Sequence, residues 1–134
     1  MSPSATLMYG LKIEEKDLPV RMAEILGEYG KYGRYTLAWS LLELYGFRVD
    51  PGEDDAEGDY VTELEEKTGL TVREFGVEEF YIGSKDLDWS VYGHKTEKVR
   101  VHSPDFHSIA RLSGVATKLG IEFEPAWYLN SDSD

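Results

Sequence analysis

The densest chemistry in the chain is a run of carboxylates. Between Asp50 and Thr68 stand Asp50, Glu53, Asp54, Asp55, Glu57, Asp59, Glu63, Glu65 and Glu66, with Lys67 as the one cation. Nine carboxylates less one ammonium give this stretch −8 of the chain's formal −12. Oxygen ligands at that density suit hard cations, so calcium is the first chemistry to weigh. On the twelve-residue calcium-loop template, Asp55, Glu57, Asp59, Val61, Glu63 and Glu66 fall at ligand positions 1, 3, 5, 7, 9 and 12. The sixth position needs glycine for its sharp turn, and Tyr60 stands there. That leaves weak cation binding by residues 54–66 as an alternative reading, without a specific loop.

Other reactive groups are sparse. His94, His102 and His107 are the three histidines. His102 and His107 stand five apart rather than the four that places two ligands on one helix face. Ser103 and Ser113 lack the Gly-x-Ser-x-Gly setting of an exposed nucleophile. Neither a Gly-x-Gly-x-x-Gly nor a Walker-type Gly-Lys-Ser/Thr is present, so nucleotide binding has no support. Carboxylate pairs such as Glu14-Glu15, Glu65-Glu66 and Glu78-Glu79 are too numerous to single out a general acid and base. With no cysteine there is no disulfide, thiolate metal site or thiol nucleophile, which fits a reducing compartment. The expectation is a protein that is not an enzyme and holds no cofactor or metal.

The charge itself then becomes the candidate. Clustered carboxylates repel nucleic acid and anionic membrane, and attract basic protein surfaces. A regular row of them resembles a nucleic-acid backbone and would enter basic clefts with fast, salt-sensitive association. We expect a small acidic protein-binding module, an inhibitor that engages the basic surface of a nuclease or other nucleic-acid-binding enzyme. Phage anti-defence inhibitors and nuclease immunity proteins are proteins of that physical type. The candidate contacts are Asp54, Asp55, Glu57, Asp59, Glu63 and Glu66. Tyr29, Tyr32 and Tyr35, with Trp127, are candidate aromatic anchors, since Tyr and Trp are enriched where partners bind. A plainer alternative is a structural or interaction domain whose carboxylates serve solubility alone.

The elements that must carry these residues follow from periodicity. A length of 134 residues suits one domain spanning 1–134, and an aromatic content of 13% argues for a packed core. No apolar run approaches the ~18 residues of a membrane span, and the N-terminus lacks a secretory pattern, so the expected location is cytoplasmic. Residues 1–7 read as a loose tail, with Met8 as the natural start. Leu7 to Ile13 reads as a strand. Asp17 caps a helix whose stripe is Leu18, Met22, Ile25, Leu26 and Tyr29. A Gly/Tyr connector leads to a second helix, Thr36 to Tyr45, stopped by Gly46; Phe47 to Val49 adds a short strand.

The acidic stretch divides in two. Residues 50–58, with proline and two glycines among repelling carboxylates, read as a solvated loop. Asp59 to Thr68 reads as a helix with Asp59, Glu63 and Glu66 outward and Tyr60, Val61 and Leu64 inward. From Leu70 the period becomes two. Leu70–Phe75, Glu79–Gly83, Trp89–Tyr92 and Lys98–His102 read as antiparallel strands. Ser103 would cap a last helix with Phe106, Ile109, Ala110, Ala116 and Leu119 buried. Ile121–Tyr128 closes the sheet, and 130–134 is a polar tail. The expected class is α+β: one mostly antiparallel sheet of about five to six strands, packed by three to four helices.

Overall fold

In the computed structural model, residues 5–14, 34–47, 57–75, 79–91 and 103–131 are described. Seven elements follow in order: β1 (Ala5–Ile13), α1 (Arg34–Leu44), α2 (Glu57–Thr68), β2 (Leu70–Glu74), β3 (Phe80–Val91), α3 (Phe106–Leu119) and β4 (Ala126–Ser131). Among the described residues the four strands form one antiparallel sheet in the order β2-β3-β1-β4. The class is α+β, with fewer strands than the periodicity suggested.

The difference has identifiable causes. The expected strands Glu79–Gly83 and Trp89–Tyr92 are not separate, since Phe80–Gly83 and Trp89–Val91 are parts of the continuous β3. Phe47 is not in a strand. The expected strand Lys98–His102 and the helix following Asp17 lie outside the described residues. Ala5 and Thr6 belong to β1, paired across to β3 and β4, rather than to a loose tail. Asn130 and Ser131 likewise belong to β4, which begins only at Ala126 rather than at Ile121. Helix α2 starts at Glu57, so the last two residues of the expected acidic loop are helical.

The fusion of β3 rests on a bulge. Met8 faces Asp88 while Gly10 faces Gly83, so Ser84 to Leu87 stand across from Tyr9 alone. Extra residues on one strand raise its twist and re-aim its side chains. Ser84 and Leu87 turn inward and Lys85 and Asp86 outward. Gly10 and Gly83 allow the close approach beside it. A Cβ on Gly10 would strike the Ile82 carbonyl oxygen, and one on Gly83 would strike the Met8 side chain.

The main core fills one face of the sheet. Leu11 and Ile13 of β1, Leu70 and Val72 of β2 and Ile82 of β3 meet Leu37, Ala38, Leu41 and Leu42 of α1. Tyr60, Val61 and Leu64 of α2 join them, with Leu112, Val115, Ala116 and Leu119 of α3. Each fully buried leucine contributes about 1.5–3 kcal/mol. Because strand side chains alternate, Met8 and Tyr81 point the other way, and they form a smaller cluster with Phe75 and Tyr128.

Helix α3 is set by a cap other than the expected one. Asp105, with extended backbone, accepts from the Ser108 N–H at 2.7 Å, and Ser103 is exposed outside the helix. Gly120, at φ 72°, closes the other end, where αL geometry favours glycine. The buried stripe is Ser108, Leu112, Val115, Ala116 and Leu119. Phe106, Ile109 and Ala110 are exposed, which corrects three of the five residues of the expected stripe. The stripe is rotated because Ser108, a polar residue, occupies an inward position. No helix among the described residues is long and apolar enough to cross a membrane.

Candidate functional site

Helix α2 presents the best-defined part of the acidic stretch. Tyr60, Val61 and Leu64 are buried, Glu63 is half-buried, and Glu66 is exposed, as a 3.6-residue period demands. Glu57 and Asp59 belong to its first turn. The C-terminal end is closed by Thr68, whose hydroxyl donates to the Leu64 carbonyl at 2.6 Å and accepts from the Leu70 N–H at 3.2 Å. Gly69, at φ 74°, then turns the chain into β2. These contacts fix the helix against the sheet and so fix the direction of its outer face.

Not every carboxylate on the helix is equally available. Lys67 Nζ lies 2.7 Å from Glu63 Oε1 and 4.8 Å from the centre of the Phe47 ring. Glu65 accepts the Thr71 hydroxyl at 2.7 Å, which ties it to β2. Glu66 is the exposed carboxylate of the helix's last turns without such a tether. Continuous helix from Glu57 to Thr68 also removes the calcium-loop template, whose ligands wrap around a sharp turn. Among the described residues, no group of three or more His, Asp or Glu side chains is placed to hold a metal ion.

Asp54, Asp55, Tyr29 and Tyr32 lie outside the described residues, as do His94 and His102. Tyr35 is the second residue of α1. His107 is exposed on α3 beside Phe106, at 6.1 Å between ring centres. Trp127 is engaged within the sheet. Its ring lies 5.3 Å from that of Tyr9 and 5.9 Å from that of Trp89, nearly parallel to the latter at 20°. These three half-buried rings pack across β3, β1 and β4, so Trp127 is a cross-strand contact first.

Two further polar groupings escaped the sequence reading. Ser84 and Ser108 are both fully buried, and their hydroxyls are 3.0 Å apart. Arg111 donates to Ser84 at 3.3 Å and to Asp86 at 2.6 Å. Buried hydroxyls closed off from solvent pin α3 to the β3 bulge, and they are not poised as nucleophiles. On the sheet's other face, Arg73 Nε donates to Asp88 Oδ2 at 2.9 Å, and its Nη2 reaches Ser90 at 3.2 Å. Burial, and secondarily the Glu79 carboxylate, push the nearby Tyr81 phenol up.

A second acidic feature is a groove of about 710 Å³ lined by Leu11, Lys12, Glu14, Gly120, Ile121, Glu122, Glu124 and Tyr128. The signal for it was faint: Glu122 and Glu124 alternate with Ile121 and Phe123, which read as one more strand. Instead the 121–125 segment is irregular and borders the groove.

Neither the protein-family models, nor the curated proteins, nor the solved structures compared with this chain gave a match.

Proposed function

We propose that this protein is a binding module for basic protein surfaces, and that its partner is a nucleic-acid-binding enzyme such as a nuclease, which it inhibits by occupying the cleft. One observation carries the reading. Helix α2 docks through Tyr60, Val61 and Leu64 while Glu66 is exposed on its other side. A stretch holding −8 of the chain's −12 is thereby anchored at its C-terminal half. Fixed carboxylates act as a preorganised field, which raises encounter rates with a basic cleft. Contacts of a different kind, from exposed apolar side chains, must then slow dissociation. The reading assigns no catalytic step to the protein, and it sets the encounter in the cytoplasm.

The test is kinetic. Association of the full chain with a panel of basic nucleases is measured against ionic strength, for wild type and for a variant with Asp54→Asn, Asp55→Asn, Glu63→Gln and Glu66→Gln. The variant should associate about ten-fold more slowly at low salt, with a flatter salt dependence. Equal rates for wild type and variant would mean that the carboxylates only solubilise the domain.

A further inference from the structure

We infer that the outer edge of β4, with the acidic groove at its start, docks an extended basic segment of the partner, which adds to the sheet as another strand. The inference rests on the basic-partner reading above and assigns it a second contact.

β4 ends the strand order β2-β3-β1-β4, and among the described residues its only ladder is with β1. Such an edge presents unpaired N–H and C=O groups, and proteins usually blunt it with charge, proline or a bulge. The opposite edge follows that rule, since β2 carries Arg73 and Glu74 in five residues. β4, AWYLNS, carries no charge and no proline. Its register with β1 runs unbroken from Ala5↔Ser131 to Gly10↔Ala126. Leu129 on this edge strand is 70% exposed. This is an uncharged edge without a bulge in a chain of which 30% is charged.

Where that ladder stops, the groove begins. β1 continues through Leu11 to Ile13, paired among the described residues with β3 alone. Alongside lie Glu122, Glu124, Glu14, Lys12 and Tyr128, over Leu11 and Ile121. The lining holds three carboxylates, of which Glu14 is already engaged, and one ammonium. The groove's volume has room for more than one residue of an extended segment, with alkyl stems on the apolar residues and cationic heads among the carboxylates. Charge decides the occupant. A second copy would bring another −12 and more carboxylates to the same place, whereas a lysine- or arginine-bearing strand meets the opposite sign.

The probe is a short labelled peptide of alternating lysine and valine, titrated into the full chain by fluorescence anisotropy. Its control is the same peptide N-methylated at alternate residues, which keeps the charge and removes one edge of backbone donors. The expected result has four parts. The plain peptide binds, and the methylated one binds at least ten-fold more weakly. Leu129→Lys and Glu122→Gln/Glu124→Gln each weaken binding by about ten-fold. Amides within 126–131 gain hydrogen-exchange protection. Equal binding of both peptides, indifference to Leu129→Lys, or protection confined to α2 would overturn the docking strip. In those cases the nuclease kinetics with the variant carrying Asp54→Asn, Asp55→Asn, Glu63→Gln and Glu66→Gln would still decide the basic-partner reading separately. Failure of both peptides to bind would overturn the strip alone.

Discussion

Lys67 holds Glu63 at 2.7 Å, one turn apart on the outer side of α2. The only cation of the acidic stretch is thus placed on one of its presented carboxylates. An exposed i,i+4 pair of this kind is worth only about 0.3–0.5 kcal/mol. Its effect on the field should exceed its effect on stability. Lys67→Gln should leave the melting temperature within about 2 °C while speeding association with a basic partner at low salt. Stopped-flow association rates and a thermal melt on the same variant check both halves.

Gly10 faces Gly83 across β1 and β3, and a methyl added to Gly10 would meet the Ile82 and Gly83 backbone. Gly114 sits exposed within α3 with open space around its Cβ position. The same substitution should therefore act in opposite directions. Gly114→Ala should stabilise by about 0.5–1 kcal/mol through helix propensity. Gly10→Ala should destabilise by about 3 kcal/mol or more, since backbone cannot step aside as a side chain does. Urea titrations of both variants measure this.

The Ser84–Ser108 pair offers an asymmetric test. Ser84→Ala strands the buried Ser108 hydroxyl and removes an acceptor from Arg111, at a cost of about 1–3 kcal/mol. Ser108→Ala removes the acceptor of the Ser84 hydroxyl proton but leaves Ser84 accepting from Arg111, so a cost at the lower end of that range is expected. The double variant should cost less than the two single ones together, which a double-mutant cycle by denaturant unfolding resolves.

Asp105 makes the stability of α3 depend on acid. The Ser108 N–H it accepts, with help from His107 and Arg111, lowers its carboxyl below the ordinary value of 3.8. A lowered native pKa stabilises the fold wherever the unfolded group is ionised. The contribution is thus complete above the ordinary value and is lost as pH falls through the lowered one. Asp105→Asn keeps an acceptor oxygen at the cap and removes the charge. The melting-temperature gap between wild type and Asp105→Asn should be constant from neutral pH to about pH 5 and close on further acidification.

Local periodicity made some of this architecture legible. Tyr60, Val61 and Leu64 inward and Glu63 and Glu66 outward could be read because α2 is an amphipathic surface helix. The phase of α3 could not, because Ser108 is inward only by virtue of Ser84, 24 residues away. β3 read as two strands because Gly83 to Asp86 look like a turn, whereas the chain passes through them as a bulge. Ala5, Thr6 and Asn130 looked like tail residues, yet Thr6 faces both Ser90 and Asn130 across the sheet. The groove unites Lys12 and Glu14 with Glu122 and Glu124, residues about a hundred positions apart that no local pattern connects.

Competition with nucleic acid tests the central claim most directly. Wild-type chain and the Glu63→Gln/Glu66→Gln variant are immobilised, loaded with a basic nuclease at low salt, and washed with duplex DNA. Acidic mimicry predicts that the nuclease is retained by wild type, released by DNA as the two compete for one cleft, and retained poorly by the variant. Retention that DNA does not disturb, at equal levels on both chains, would contradict it.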